Sequence, residues 1–319
     1  MTRTEEICNG IFNGDPRSIA RAITIVENEP DDAQKIIAAI YPHTGKAHII
    51  GLTGPGGSGK STLIEKIVRE YRRKKKTVGV VAVDPTSPFT GGAFLGDRIR
   101  MQELSTDAGV FIRSMASRNY PGGLAKATKD AVKVLDAAGK NIILVETVGA
   151  GQSEVEIIRV AQTVVVIQAP GLGDEIQAIK AGLMEIADIF VVNKADRENA
   201  DRTVMDIQAI LRLNNKKSTW KPPVMKTVAL TGEGVGELVN RLEEHKNQLE
   251  QNTENRNRLL KSIAEAELVE AIKEKTVVSL IDHMRREGKL DLLLERILKK
   301  EVDPASVAEE LLNERFGEC

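Results

Sequence analysis

Gly54-Pro-Gly-Gly-Ser-Gly-Lys-Ser61 is the stretch of this sequence that decides the fold. It satisfies the pattern Gly-x-x-x-x-Gly-Lys-Ser/Thr of a phosphate-binding loop. The apolar run Ala47–Thr53 before it predicts a buried strand, and the helical spacing of apolar residues in Thr62–Tyr71 predicts a helix after it. This order of strand, glycine loop and helix is what the motif requires, and an ordinary glycine-rich turn is the structural alternative.

The chemistry of the loop follows from its residue types. Glycines lack a Cβ, so successive backbone N–H groups can converge on phosphate oxygens, and the helix N-terminus adds unpaired donors and partial positive charge. Lys60 would reach the terminal phosphates, and the Ser61 hydroxyl would bind Mg²⁺. The predicted nucleotide-binding residues of this loop are Gly54, Pro55, Gly56, Gly57, Ser58, Gly59, Lys60, Ser61 and Thr62.

Composition is that of an ordinary globular chain, with either two domains or one α/β domain and added helices. The 319 residues are 41% hydrophobic and 29% charged, and the net charge of −1 argues against bulk attraction to nucleic acid or a membrane. No apolar run reaches the roughly 18 residues of a membrane span, and the first residues lack the pattern of a signal or transit peptide. Two cysteines and four scattered histidines predict neither a disulfide framework nor a cysteine-based metal site, and we expect a cytoplasmic protein.

Strands and helices alternate in the middle of the chain, which predicts an α/β fold with a mostly parallel sheet covered on both faces. The candidate strands are 49–53, 77–83, 110–113, 141–146, 163–168, 189–193 and 224–229. Short helices are predicted before this region and long charged helices after it. We therefore predict an N-terminal helical extension, a P-loop core and a C-terminal helical arm, with bounds 1–45, 46–245 and 246–319.

The C-terminal region predicts an amphipathic arm. Its first helix is expected to continue through about Lys261 and to lead into a helix over 262–287, because the sequence has no glycine or proline from Glu237 to Glu287. Such an arm must bury its apolar stripe, often against a second copy of the chain, so we expect a homodimer.

Acidic residues follow two of the predicted strands. Asp84 leaves the second strand, and Asp97 closes a glycine-rich segment after it. Ligands of such sheets bind at the carboxyl ends of the strands, and Mg²⁺ takes carboxylates together with phosphates, so both residues are candidate metal ligands. The structural alternative is that Asp84 caps a turn and that Asp97 starts a helix.

The segment 142–149 is an apolar strand that ends in acid-x-x-Gly. P-loop NTPases place a second Mg²⁺ group there, together with a glycine whose N–H senses the γ-phosphate. Glu146 and Gly149 occupy these positions, and the residues that follow, including Gln152, form a candidate switch region. Arg113 and Arg118 could reach a phosphate or a partner carboxylate, or simply lie in an exposed loop.

Two later strand ends carry further candidates. Asn193-Lys-Ala-Asp196 can recognise guanine, because the Asp196 carboxylate can accept hydrogen bonds from N1–H and the 2-amino group. The base would also contact the loop that holds Val228, Ala229 and Leu230. The predicted nucleotide-binding residues of the first segment are Asn193, Lys194 and Asp196, and a charged loop after the fifth strand holds Gly173, Asp174, Glu175 and Lys180.

Taken together, these segments resemble the MeaB/ArgK (MMAA-type) family of P-loop GTPases, within the SIMIBI class. The resemblance covers about residues 47–240, and its order and spacing are more specific than any single motif. It rests on 54–62, 83–87, 96–101, 145–154, 173–177 and 193–196, and Asp303–Leu312 is similar to the family's C-terminal pattern. The departure is at the base loop, where Val228-Ala-Leu replaces the Ser/Thr-Ala often found there.

The resemblance implies a dimeric GTPase that acts as a chaperone of an adenosylcobalamin-dependent acyl-CoA mutase, usually methylmalonyl-CoA mutase. GTP and Mg²⁺ would bind this chain, and cobalamin only the partner. Asp84, Asp97 and Glu146 fall on the family's acidic Mg²⁺ and catalytic positions. The segment from Gln168 to Lys180 falls on its partner-facing switch. Lys60 and Gly149 complete the predicted catalytic set, and Gln152, Asp97 and Glu146 are candidates for positioning the attacking water.

Two other functions remain open from the sequence. The family's older label, a kinase linked to amino-acid transport, would require phosphorylation of a binding protein. A nickel-insertion GTPase would be expected to carry histidine and cysteine clusters for metal storage, which the sequence lacks.

Overall fold

The computed structural model describes residues 2–84, 102–116, 126–147, 156–171, 181–213 and 220–316. The chain divides into two compact units, Met1–Leu259 and Leu260–Cys319. Within the described residues, the first unit contains a parallel sheet with the strand order 3-2-4-1-5-6-7. Its strands are β1 (His48–Thr53), β2 (Val78–Asp84), β3 (Val110–Ala116), β4 (Ile142–Glu146), β5 (Thr163–Gln168), β6 (Ile189–Asn193) and β7 (Val224–Thr227).

The predicted α/β fold is confirmed, and every candidate strand is present. The bounds of β1, β2 and β4 differ from the predicted ones by one residue, and the larger differences are at the ends of the two edge strands. β3 continues to Ala116, because its last residue still pairs with Asp84 of β2. β7 stops at Thr227, since Val228 instead pairs with Glu233 in an antiparallel bridge that closes the following turn.

Helices cover both faces of the sheet, as the apolar strands require. The helices of the first unit's described residues are α1 (Arg3–Phe12), α2 (Pro16–Asn28), α3 (Pro30–Ile40), α4 (Lys60–Arg73), α5 (Lys126–Ala137), α6 (Ala181–Ile186), α7 (Ala200–Leu213) and α8 (Val235–Gln251). α4 and α8 pack on one face, around a core that includes Leu63, Ile67 and Leu242. The other face carries α5, α6, α7 and the three N-terminal helices.

The N-terminal helices are part of the folded first unit. α2 packs on α5 and places Ile19, Ala22 and Ile23 in the core, as their helical spacing predicts. The segment that joins α3 to β1 is fixed by Asp136 of α5, whose carboxylate accepts hydrogen bonds from the backbone N–H groups of residues 45–47. This carboxylate therefore fastens the segment before β1 to α5 without using any side chain of that segment.

The expected helix through Lys261 is interrupted. α8 ends at Gln251, and α9 (Thr253–Arg286) begins after Asn252. The Asn252 side chain accepts a hydrogen bond from the Asn255 N–H at 3.0 Å and so caps the new helix. Asparagine competes with the helical backbone in this way, which a search for glycine and proline alone misses.

The second unit, taken by itself, is a small helical cluster. It contains the C-terminal part of α9, α10 (Lys289–Leu298) and α11 (Pro304–Phe316). Met284, Leu293 and Val307 form its buried core. Among the described residues of the whole chain, no helix is both long and apolar enough to cross a membrane.

A buried polar chain lies at the amino edge of the sheet. The Thr163 hydroxyl is 2.7 Å from His48 Nε2 and 2.8 Å from His245 Nδ1. Since it has one proton, it donates to one ring and accepts from the other. His245 Nε2 lies 3.5 Å from Asp188 Oδ1, and the Asp188 carboxylate also accepts a hydrogen bond from the Val164 N–H at 2.8 Å.

Burial governs the protonation of these hydrogen-bonded side chains. Loss of solvent lowers the pKa of His48 to about 3 and the pKa of His245 to about 4. It also raises the pKa of Asp188 to about 7, although 30% of that side chain is exposed, so solvent screens the effect there. His48 is only 1% exposed and gives the cleaner prediction.

We expect the folded state to lose stability as the pH falls from 6.5 toward 3. The folded protein keeps His48 neutral while the unfolded chain binds a proton, so the contribution of His48 is present above pH 6.5 and is lost below it. The loss at pH 5 should be about 2 kcal/mol. Denaturant unfolding at pH 7 and pH 5 measures this loss in the free energy of unfolding. His48→Gln should make the loss smaller by about 2 kcal/mol. His43→Gln, at an exposed histidine, should not make it smaller. Equal pH dependence of both variants would contradict the assignment.

Candidate nucleotide site

The phosphate-binding loop joins β1 to α4 and requires glycine at two positions. Gly54 has φ +146°, and a Cβ there would lie 2.1 Å from the Ile167 carbonyl oxygen of β5. Gly59 has φ +91° and ends the loop, and a Cβ there would lie 2.4 Å from Asn193 Nδ2. Both positions combine a left-handed backbone with close neighbours. The loop is thus fitted tightly between β5 and the end of β6.

Lys60, the first residue of α4, lies against its own loop. Its ammonium group donates hydrogen bonds to the carbonyl oxygens of Gly54 at 2.9 Å and Pro55 at 3.2 Å. The side chain is largely buried, at 7% exposed. A lysine placed across the loop in this way is positioned for phosphate oxygens that bind within the loop.

Ser61 and Glu146 are brought together from different segments. Ser61 Oγ donates a hydrogen bond to Glu146 Oε1 at 2.8 Å. A hydroxyl and a carboxylate are the hard oxygen ligands that Mg²⁺ prefers, so this pair fits the predicted metal. Asp84 ends β2, two residues beyond the residue that pairs with Glu146 on β4. Its backbone therefore lies at the same edge of the sheet, while its side chain is outside the described part.

Asn193 connects the phosphate loop to the predicted base loop. Its Nδ2 donates to the Ser58 carbonyl oxygen at 2.8 Å. Its Oδ1 accepts from the Ala229 N–H at 3.0 Å and from the Thr227 hydroxyl at 3.2 Å. Asn193 is 1% exposed, so this side chain is a buried cross-link between three segments.

The other predicted base-site residues differ in exposure. Lys194 lies over the loop and donates to the Gly57 carbonyl oxygen at 2.7 Å. Asp196 is exposed and makes no hydrogen bond to any described residue. Leu230 is 80% exposed, whereas Val228 and Ala229 are buried. An accessible carboxylate and an exposed apolar side chain are groups that suit a flat, hydrogen-bonding ring.

Of the other predicted site residues, the structure describes Gln168 and Arg113, and the rest lie outside the described part. Gln168 ends β5 beside Val192 of β6, is 5% exposed, and its Nε2 has no hydrogen-bond partner among the described residues. Arg113 pairs with Glu27 of α2 and does not reach the loop. The predicted residues that lie outside the described part are Asp97, Arg118, Gly149, Gln152, Gly173, Asp174, Glu175 and Lys180.

Three threonines at the site, Thr53, Thr147 and Thr227, were not predicted from the sequence. Thr227 donates to Asn193 Oδ1, and Thr147 donates to Thr53 at 3.0 Å. Each is at least 98% buried at the end of a strand. Each occupies a polar position at or just beyond the carboxyl end of an apolar strand, and this signal was visible in the sequence.

Comparison with known proteins agrees with this geometry. The model of the family described as methylmalonyl Co-A mutase-associated GTPase MeaB matches residues 19–285. A provisionally named GTPase of Pyrococcus horikoshii is 51% identical, with 99% of this chain and all of the relative covered. The GTPase ArgK of Escherichia coli is 34% identical over 85% of this chain and 83% of its own.

A solved structure shares the fold. The crystal structure of an LAO/AO transport system kinase matches with a TM-score of 0.73 and 24% identity, covering 98% of this chain and 97% of that one. At this identity the likeness shows the fold alone. The sequence matches go further, and because the family model spans most of the chain, the protein belongs to the MeaB family of methylmalonyl-CoA mutase-associated GTPases.

Proposed function

We propose that this protein hydrolyses GTP in a magnesium-dependent reaction and acts as a chaperone of an adenosylcobalamin-dependent acyl-CoA mutase, methylmalonyl-CoA mutase first among them. In this role GTP would gate the loading, protection and reactivation of the mutase cofactor. The observation that carries the GTPase part is the cross-link made by Asn193 between the phosphate loop and the base loop. Family membership supports the mutase part.

The mechanism we propose assigns one role to each predicted site residue. The loop amides and Lys60 would bind the phosphates and stabilise the charge that develops on them. For this, Lys60 would exchange its hydrogen bonds to Gly54 and Pro55 for phosphate oxygens. Ser61 and Glu146 would hold Mg²⁺, which when bound neutralises phosphate charge. Asp196 would select guanine, and Gln152, Asp97 or Glu146 would orient the water.

We also propose that the protein is a homodimer, with the second unit at the interface. Apolar side chains of this unit are exposed: Leu268 is 61%, Ile272 55% and Leu298 81% exposed. Leu268 and Ile272 are four residues apart on α9 and therefore lie on one face of that helix, and exposed apolar side chains grouped in this way mark an interaction site. The molar mass in solution tests it, and a monomer at micromolar concentration would contradict it.

We expect slow GTP turnover by the isolated protein, roughly 10⁻⁴ to 10⁻² s⁻¹ as in unstimulated switch GTPases, and clear stimulation by a client mutase. The measurement is phosphate release with and without a purified cobalamin-dependent acyl-CoA mutase, with bovine serum albumin as control. Fast turnover that no mutase changes would exclude the chaperone role. Phosphate transfer to a binding protein in place of water would favour the kinase alternative.

A further inference from the structure

A buried pair of hydroxyl groups joins the two segments that carry the predicted magnesium ligands. Ser61 follows β1 through the phosphate loop, and Glu146 ends β4. Where these adjacent strands end, Thr147 Oγ1 donates to Thr53 Oγ1 at 3.0 Å, and the Thr147 N–H donates to the Leu52 carbonyl oxygen at 3.1 Å. The end of β4 is thus bonded twice to the end of β1.

The pair lies on the face of the sheet opposite α4. Leu52 belongs to the core on the α4 side, so Thr53, the next residue of the strand, faces the other way. Thr53 and Thr147 are 0% and 2% exposed. Their hydroxyls can therefore influence the reaction only through the segments that they join.

We propose that Thr147, bonded to Thr53, is a positioning residue that sets the Glu146 carboxylate against Ser61. The 2.8 Å contact between Ser61 and Glu146 depends on how the end of β4 is aligned with the end of β1. Thr147 follows Glu146 directly and Thr53 precedes the loop directly, so their bond fixes that alignment beside the metal ligands. The proposal rests on the proposed magnesium-dependent GTPase function.

Groups that orient metal ligands commonly change metal affinity by about 10- to 100-fold when they are removed. Thr147→Val keeps the shape of the side chain and removes the hydroxyl. We expect the Mg²⁺ concentration for half-maximal GTP turnover to rise about tenfold. The affinity for GDP, measured in EDTA, should stay unchanged. Thr147→Ser keeps the hydroxyl and should retain the wild-type Mg²⁺ dependence.

Further variants separate positioning from folding. Thr53→Val should reproduce the Mg²⁺ effect from the other strand. The double variant Thr53→Val/Thr147→Val leaves no hydroxyl unpaired, so it should regain stability and still show the shift. Thr163→Val is the matched control, because it removes a buried strand hydroxyl at the opposite edge and should lower the Tm without changing the Mg²⁺ dependence.

The outcomes are distinguishable. If Thr147→Val lowers the Tm but keeps the wild-type Mg²⁺ dependence, as Thr163→Val should, the positioning role is overturned. If Thr147→Val does not fold, the double variant decides in the same way. If the wild-type protein neither binds GDP nor hydrolyses GTP, the proposed GTPase function itself fails, independently of any variant.

Discussion

Asp196→Asn should reduce the preference for GTP over ATP by at least about a hundredfold. A site that hydrogen-bonds polar groups of its ligand discriminates strongly, because these groups are left unpaired with the wrong partner. The amide of asparagine presents an NH₂ group where the carboxylate accepted a hydrogen bond from the 2-amino group of guanine. Two donors then face each other, and this opposes guanine binding. Xanthine carries a carbonyl oxygen at that position, so the same variant should gain affinity for xanthosine triphosphate. Competition with fluorescent GDP measures all three nucleotides.

Asp201→Asn is the matched control for this prediction. Asp201 is also an exposed carboxylate, five residues further along the chain, and pairs with Lys226 at 2.9 Å. Its substitution changes the net charge equally and should leave the nucleotide preference intact. If Asp196→Asn keeps the wild-type preference and gains no affinity for xanthosine triphosphate, the assignment of Asp196 to the base is wrong.

Lys60→Met should lower the rate of GTP hydrolysis by about 10²- to 10³-fold, as the loss of one charge-stabilising group does in other enzymes. Methionine retains the length and flexibility of the side chain but removes its charge. The amides of the loop remain, so the affinity for GDP should change much less than the rate. Single-turnover hydrolysis and equilibrium GDP binding, measured on the same preparation, separate the two effects.

Lys66→Met provides the comparison within the same helix. Lys66 pairs with its neighbour Glu65 at 3.8 Å and lies away from the loop carbonyls that Lys60 contacts. A rate within threefold of the wild type for Lys60→Met would show that this ammonium group does not act on the transferred phosphate. A loss of GDP affinity with an unchanged single-turnover rate at saturating GTP would make it a binding group only.

The sheet was predictable because its inner strands are almost entirely apolar. Val164, Val165 and Val166 of β5 are all buried, and such continuous runs are typical of parallel strands covered on both faces. Helix ends were less predictable, since the break at Asn252 depends on one side-chain hydrogen bond. The early end of β7 likewise depends on a local contact, because Val228 leaves the strand to pair with Glu233 across a turn.

At the site, the sequence predicted the residue types but not their partners. The motif identified Asn193 and Lys194. Their contacts with the backbone of Ser58 and Gly57 arise because the fold places the end of β6 beside the phosphate-binding loop. Arg113 illustrates the opposite case. Its charge suggested a phosphate, but α2, distant in sequence, supplies Glu27 as its partner. A local sequence pattern cannot show which distant segment will pair with a charged side chain in the folded protein.

The hydrogen bonds of the Asp136 carboxylate affect which residues of this protein can change during evolution. Because it accepts hydrogen bonds from the backbone of residues 45–47, it recognises the path of the chain and not its side chains. Substitutions at exposed Lys46 should therefore be tolerated, whereas Asp136 itself cannot vary without loosening the junction. A single carboxylate would thus let the N-terminal helices change their surface residues, and with them their contacts, while they stay attached to the same P-loop core.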